Sequence, residues 1–280
     1  MTVLDGEFKV FGYSFDDLMN LDPAVLRAIL IERTHHTIEV LLYRILNGKM
    51  SVPSNFGKTV EILFNIWVKR GLPIESPDIS WVKRYLELAI SLRKGEKIML
   101  GLKIPEPFSE SEFHVVKRLL FERRSIRQWK DEPVSDELIH NLLYAGLMAP
   151  RGCNVPSIRY LTLKSDEEKK LVSSDIPVDN ALIIVVCQDM RVYRALKFDK
   201  SVPQNIYYDA AAVADHICLM AHALGLGACW LTHSSDSTER LRKYFGLPDY
   251  IESRCHVAVG WPDESPLKSQ RMSVREALLP

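Results

Sequence analysis

Paired cysteines are the first thing this sequence lacks. Its five cysteines are odd in number and widely scattered, with no Cys-x-x-Cys. That argues against a disulfide framework or a zinc site and fits reduced thiols in a cytoplasmic setting. An excess of one charge is lacking too: 36 Lys+Arg balance 36 Asp+Glu, which gives no pull toward nucleic acid, membrane or acidic substrates. The longest apolar run, Ala181 to Cys187, is far too short to span a bilayer. The chain opens with Asp5 and Glu7 and shows no basic-then-apolar signal layout. Internal repeats and low-complexity tracts are absent. So is any His–Asp or paired-carboxylate constellation that would demand a protein acid or base. What is present is 280 residues, 47% of them apolar, enough for one large domain or a domain with a substantial extension.

The first third reads as all-helical. Asp22-Pro23 is an N-cap followed by proline at the first helical position, and the pattern it starts runs through Leu46 to Asn47-Gly48. A second helix is expected from about Lys58 to Arg70, with Val60, Leu63, Trp67 and Val68 inward. A third runs from about Ser80 to Arg93, with Trp81, Tyr85, Leu88, Ala89 and Leu92 on one side. Pro105-Glu106-Pro107 reads as a linker, placing a helical extension over 1–108 and a second domain over 109–280. Before Lys117 there are 15 acidic and 14 basic residues, so no basic face for DNA is evident. In Glu32-x-x-His35-His36-x-x-Glu39 the pairs Glu32/His36 and His35/Glu39 each share a helix face. A di-iron bundle could use such spacing but needs a second Glu-x-x-His in the same core. Glu137-x-x-His140 has that spacing but belongs to the other domain, so ion pairs on a solvated face are expected and no metal.

The most informative stretch is Glu122-Arg123-Arg124-Ser125-Ile126-Arg127-Gln128-Trp129. Ser109-x-x-Glu112 has capping-box spacing and starts a helix whose apolar positions Phe113, Val116, Leu119 and Leu120 mark one face. The pattern breaks after Arg124, and the next helix starts near Ser135, so three arginines and a serine fall on a connection. A guanidinium is a rigid fork of donors suited to phosphate, and Ser125 adds a hydroxyl. A solvated basic turn opposing the helix dipole would use the same residues.

Beyond it, Leu138, Leu142, Leu143, Ala145 and Met148 are spaced for one buried helix face. Ala149-Pro150-Arg151-Gly152-Cys153-Asn154-Val155-Pro156 is an enforced loop. Tyr160 to Leu163 reads as a short strand, Asp166 to Leu171 as a charged helix, and Ala181 to Cys187 as a central strand covered on both faces. Tyr207 to Ala223 is a helix ending at Gly225-Leu226-Gly227. An extended segment, Ala228 to Thr232, a helix from about Thr238 to Phe245 and a buried strand, His256 to Gly260, follow.

This order of Arg-Arg-Ser-x-Arg, Ala-Pro-x-Gly-x-Asn, Asp-Ala-Ala, Gly-Leu-Gly-x-Cys-Trp, Gly-x-Pro-x-Glu and a late arginine resembles the FMN-dependent nitroreductase family over about residues 115 to 280. The resemblance implies an α+β fold, a mixed, mostly antiparallel sheet flanked by helices, preceded by the all-helical extension. It implies a homodimer binding FMN, with NADH or NADPH as donor and a nitroaromatic, quinone or activated alkene as acceptor in a ping-pong reaction. Arg123, Arg124 and Ser125 would bind the phosphate and ribityl chain, with Arg271 and Lys268 reaching in from the C-terminal segment. Arg127 would lie near the N1–C2 carbonyl edge, where a cation stabilises reduced flavin. Pro150, Arg151, Gly152 and Asn154 would contact the isoalloxazine from the partner subunit. Trp230, Leu231 and Thr232 would lie along the ring's other side.

Taken without the resemblance, Trp230, Cys229 and Cys153 read as packing residues, Asp209 as a structural tie, and His216 and His222 as satisfied on their helix. Arg151 stands where many relatives have serine. Where relatives often read Asn-x-Gln-Pro-Trp, this chain has Asn154-Val155-Pro156-Ser157, a departure that removes the glutamine and the tryptophan. Other readings are a flavin-binding regulatory or scaffold protein, a relative carrying out reductive dehalogenation or flavin-fragmenting chemistry, and a relative without flavin.

Overall fold

The computed structural model describes residues 8–101, 104–172, 178–231, 233–234 and 236–279. In chain order it begins with a hairpin, β1 (Lys9–Val10) and β2 (Tyr13–Ser14), then α1 (Phe15–Asn20) and α2 (Pro23–Thr34). A π-helical turn, His35–Glu39, carries α2 into α3 (Val40–Leu46). Next come α4 (Lys58–Lys69), α5 (Pro77–Arg93), α6 (Glu110–Glu122) and α7 (Asp136–Leu147). The sheet and its helices follow: β3 (Ile158–Leu163), α8 (Asp166–Lys169), β4 (Leu182–Asp189), α9 (Met190–Ala195), α10 (Phe198–Ser201), α11 (Asn205–Ala223), β5 (Gly227–Leu231), α12 (Ser237–Phe245), β6 (Ile251–Gly260) and α13 (Val274–Ala277).

The chain divides into two compact units. The first comprises Met1–Ile104, Pro150–Ser157 and Asp189–Tyr208. Helix α2 is its centre: Val25, Leu26, Ala28, Ile29, Leu30 and Ile31 are all buried, so the helix is apolar nearly all round, as an enclosed helix must be. Asp22 caps it through the Ala24 N–H, with proline at N1 as the sequence predicts. It packs against α4, α5 and α9.

The first third is not entirely helical. Phe11 and Gly12 both take positive φ (52° and 96°), which lets a two-residue turn close the β1–β2 hairpin. Two predicted faces also shift. Val68 is 49% exposed, and α5 is buried through Ile79, Val82, Leu86 and Ala89, whereas Trp81, Tyr85, Leu88 and Leu92 are half-buried at its margin. Large amphipathic side chains can cover a core from its rim, so their spacing marked the edge of the stripe rather than its centre.

The second unit comprises Pro105–Ala149, Ile158–Gln188 and Asp209–Pro280. Its four-stranded sheet has the order β3-β4-β6-β5, with β3 antiparallel to β4 and β5 antiparallel to β6. All eight residues of β4 are buried, as the unbroken β-branched run predicts. Its residues sort by parity. Leu182, Ile184 and Val186 face a cluster with Ile139 and Leu142 of α7 and Val213, Ala214, Ile217 and Ala221 of α11. Ile183, Val185 and Cys187 join Ile126, Trp129, Leu231 and Leu241 in a second cluster. The fold is thus the α+β arrangement with a mostly antiparallel, helix-flanked sheet.

In α7 the buried residues are Ile139, Leu142, Ala145 and Gly146; Met148, expected inside, is 63% exposed because it caps the helix end. Helix α6 has the expected capping box at Ser109 and Glu112. None of its residues is buried, however, and Phe113 and Leu120 are each 53% exposed.

Gly227 and Gly260 face each other across β5 and β6. A Cβ on Gly227 would meet three Ile126 side-chain carbons at 2.7 Å, and one on Gly260 would meet Trp129 Cδ1 at 2.9 Å. Ile126 is β-branched and buried, so it has little room to yield. Gly227→Ala is expected to destabilise the protein by about 1–3 kcal/mol, read as a lower urea midpoint with an unchanged m-value.

Candidate functional site

The arginine stretch follows α6 and is stitched to the sheet rather than left as a solvated turn. Ser125 forms a parallel bridge with Ala228, and the Ile126 N–H donates to the Ala228 carbonyl at 3.1 Å. Trp129 bridges Pro262, and its Nε1–H donates to the Gly227 carbonyl at 3.1 Å. The Asp263 N–H donates to the Gln128 carbonyl at 3.0 Å, and the Lys130 N–H to the Trp261 carbonyl at 2.9 Å. The Arg127 backbone N–H donates to Glu264 Oε1. Ile126 and Trp129 are buried, while Arg124 and Arg127 remain exposed and Arg123 half-buried. The apolar residues therefore anchor the segment and leave its cations directed outward.

Several cavities open beside this segment within the second unit, and two of them take in Ser125. One, of about 440 Å³, is lined by Arg123, Ser125, Asp215, Cys218, Trp230 and Leu231. The other, of about 390 Å³, is lined by Leu120, Phe121, Arg123, Arg124 and Ser125 together with Lys268, Ser269, Gln270 and Arg271. Both volumes suit a small-molecule ligand. Arg123 and Ser125 belong to both. Trp230 is 46% exposed on a strand whose other residues are buried, so its side chain is a cavity wall and not core.

The sequence-predicted residues are only partly brought together. Arg123, Arg124 and Ser125 join Lys268 and Arg271 in one cavity, and Arg123 and Ser125 join Trp230 and Leu231 in the other. Arg127 lines neither; its Nη1 donates to the Ser125 carbonyl at 3.4 Å. Thr232 lies outside the described residues. Pro150, Arg151, Gly152 and Asn154 belong to the first unit, where Arg151 Nη1 donates to the Val155 carbonyl at 3.3 Å. Val155 and Ser157 are both fully buried there, and Ser157 Oγ donates to the Tyr193 hydroxyl at 3.0 Å. Those two positions of the stretch that departs from the family pattern thus serve that unit's packing. Asp215 and Cys218 were missed by sequence reasoning. Their spacing of three on α11 puts them on one helix face, which is a signal only once that face is known to border a cavity.

Electrostatics follow from burial. The Cys218 thiol is pushed up to about 12 chiefly by desolvation, with Arg123 pulling the other way. Burial also raises Cys229, against the opposing pull of Arg127 and Arg123. Neither is a poised nucleophile. Among the described residues no group of three or more His, Cys, Asp or Glu side chains is placed to hold a metal ion. No described helix is long and apolar enough to cross a membrane. His216 Nδ1 lies 3.1 Å from the Ala212 carbonyl, as a locally satisfied helix histidine should.

A polar cluster built on the buried His256 and Ser253 lies elsewhere in the second unit. His233 Nδ1 is 3.2 Å from His256 Nδ1, and His233 Nε2 is 2.6 Å from Ser253 Oγ, which lies 2.7 Å from Thr238 Oγ1. Burial lowers both imidazoles to about 4.

A family model described as the nitroreductase family matches residues 120–176 and 168–261, together just over half of the chain. A protein of Methanothermobacter thermautotrophicus, provisionally named NADH dehydrogenase/NAD(P)H nitroreductase, is 27% identical over 151 residues. The match covers 51% of this chain and 75% of that protein. A solved Desulfovibrio desulfuricans protein, provisionally named a nitroreductase and bound to FMN, is 28% identical, with 59% and 95% of the two chains covered and a TM-score of 0.48. The structure of B. megaterium NfrA1 shares the fold at 23% identity, with a TM-score of 0.52 over 60% of this chain and 74% of that one.

The histidine pair makes stability depend on pH. A neutral buried imidazole whose folded pKa lies near 4, against about 6.5 unfolded, contributes fully above 6.5, and the contribution is lost as pH falls toward 4. Urea unfolding between pH 7 and 4.5 should show stability falling by up to about 1.4 kcal/mol per pH unit on account of the nearly inaccessible His256. His256→Gln should flatten that slope.

Proposed function

This chain belongs to the nitroreductase family, and on that premise we propose that it is an NAD(P)H-dependent flavin oxidoreductase. FMN supplies two-electron chemistry between a nicotinamide donor and a nitroaromatic, quinone or activated-alkene acceptor, by a ping-pong route. The observation that carries this reading is the pair of cavities sharing Arg123 and Ser125. One has an indole wall. The other gathers Arg124, Lys268 and Arg271 with the hydroxyls of Ser125 and Ser269. That donor set fits a molecule with a flat aromatic end and a phosphorylated polyol end.

Within this reading each residue has a distinct task. Arg123, Arg124, Lys268 and Arg271 offset the phosphate charge, guanidinium forks fixing its orientation where lysine supplies a point charge. Ser125 donates to phosphate or ribityl oxygens. Trp230 and Leu231 would keep water from one side of the ring, and the backbone of Trp230 and Leu231 would offer an N–H to flavin N5. Arg127, which lines neither cavity in the single chain, would act from outside them on the negative charge that reduction places at the N1–C2 edge. No protein acid or base is invoked. The helices of 1–108 would serve as an extension to an FMN-binding part drawn from 109–280, of which Pro150–Ser157 and Asp189–Tyr208 belong with the helical unit.

We further propose a homodimer in which the Pro150–Asn154 loop of one chain, carrying Pro150, Arg151, Gly152 and Asn154, meets the ring held by the other. The uncovered apolar side chains of α6 support it, since Phe113, Val115, Leu120 and Phe121 are each more than half exposed in the single chain. Light scattering should give twice the 32.1 kDa chain mass, and Leu120→Asp should shift it toward the monomer. A wild-type monomer at micromolar concentration would refute the dimer.

The enzymatic proposal is tested by stopped-flow bleaching of bound flavin with NADH and with NADPH. Flavin that neither donor bleaches sinks the donor half. Arg271→Ala should weaken FMN binding about tenfold or more, the worth of one charge-assisted contact, as read by fluorescence titration. Unchanged affinity removes Arg271 from the phosphate site.

A further inference from the structure

The Glu32/His36 spacing in the first unit finds a third member from far along the chain. The two are four apart on one helix face, and His36 Nδ1 lies 2.6 Å from Glu32 Oε1. Glu32 is 1% exposed and is held by the adjacent Arg33 guanidinium, whose Nη2 donates to Oε1 at 2.6 Å. This is not the solvated ion-pair face the sequence predicts, because α2 is enclosed and only the imidazole reaches outward, 43% exposed. The other imidazole nitrogen, His36 Nε2, lies 3.8 Å from Cys153 Sγ. A buried carboxylate, an imidazole and a thiol thus stand in a row.

Two backbone features set up this row. The π-helical turn His35–Glu39 begins where α2 ends, and such single-turn widenings re-aim side chains. Cys153 and Asn154 both take positive φ (53° and 54°), a conformation that costs non-glycine residues free energy. A Cβ on Gly152 would meet Asn205 Nδ2 at 2.5 Å, so the loop is pressed close to its neighbour. Cys153 is half-buried, whereas Cys187, Cys218, Cys229 and Cys255 are buried.

We propose that Cys153 is a nucleophilic thiol activated by His36, with Glu32 as the positioning residue, and that it takes soft carbon electrophiles of the α,β-unsaturated carbonyl class. The imidazole accepts the thiol proton, and Glu32 holds the ring and stabilises the imidazolium. The thiolate then adds to the β-carbon: the S–C bond forms, the C=C pair moves to the carbonyl oxygen as an enolate, and the imidazolium proton neutralises it. No electrons are lost and no further reagent is consumed. Other ionisable groups around the row are Arg33 on α2, His35 and Glu39 on the π turn, Tyr85 of α5, which donates to Glu39 Oε1 at 3.3 Å, and Arg151 in the cysteine's own loop. The His35 ring meets the His36 ring edge-on at 5.0 Å.

Alkylation of the full-length protein by iodoacetamide, followed peptide by peptide by mass spectrometry from pH 5.5 to 9.5, tests this without flavin reduction. It reads thiol chemistry rather than flavin reduction, so its failure is distinguishable from failure of the oxidoreductase proposal, although Cys153 lies in the loop proposed to meet the partner's ring. Exposure alone would label Cys153 first but would leave its half-maximal rate near pH 8.5. The expected midpoint lies below about 7.5, and His36→Asn should move it to about 8.5, with at least a tenfold slower reaction at pH 6.5. A wild-type midpoint at or above 8.5, or a folded His36→Asn variant with an unmoved profile, overturns the proposal. Should His36→Asn not fold, Glu32→Gln serves the same comparison. A 2-cyclohexenone adduct on Cys153 is expected; its absence while iodoacetamide reacts overturns the assigned electrophile class.

Discussion

The arginine segment is fixed by five hydrogen bonds to β5 and to the residues following β6, and the second unit's cationic site depends on that fixing. Free guanidinium side chains in water gain little from meeting an anion, because ordering them costs entropy and water screens the charge. Held by Ile126, Trp129 and the carbonyls of Gly227 and Ala228, the same groups are already gathered when a ligand arrives. The apolar residues of the stretch are therefore as important to the electrostatics as the charged ones.

Burial also separates the cysteines by chemistry. Four are sheltered, and Cys187, Cys218 and Cys255 are each raised to about 12 by desolvation, so they serve as small apolar side chains. Cys153 sits on a strained loop beside an imidazole. The low-dielectric surroundings that silence four thiols likewise keep His233 and His256 neutral. One physical cause, loss of water around an ionisable group, accounts for both sets of residues.

What the sequence made legible was local. The Asp22-Pro23 start, the Ser109–Glu112 box and the unbroken β4 run each state their outcome within a few residues. Trp230 was ambiguous, because a strand places alternate side chains on opposite faces and only the neighbouring elements decide which face is covered. Val68 was misassigned because spacing gives a stripe but not its width, and Met148 because it closes the end of its helix. The approach of Cys153 to His36 spans 117 positions, and no window of local pattern could contain it. The hairpin at Phe11-Gly12 was a local signal overlooked, as were the Ser14–Asp17 and Ser273–Glu276 capping boxes of α1 and α13.

The paired glycines have a last consequence, for loop length. Gly227 and Gly260 lie opposite each other, and the side chains that fill the two recesses, Ile126 and Trp129, come from a single four-residue span. Inserting or deleting one residue in that span would unseat one plug whenever the other is seated. The segment is in effect gauged like a key to two wards. Homologous chains could vary freely in the length of their surface connections while this one stays constant to the residue.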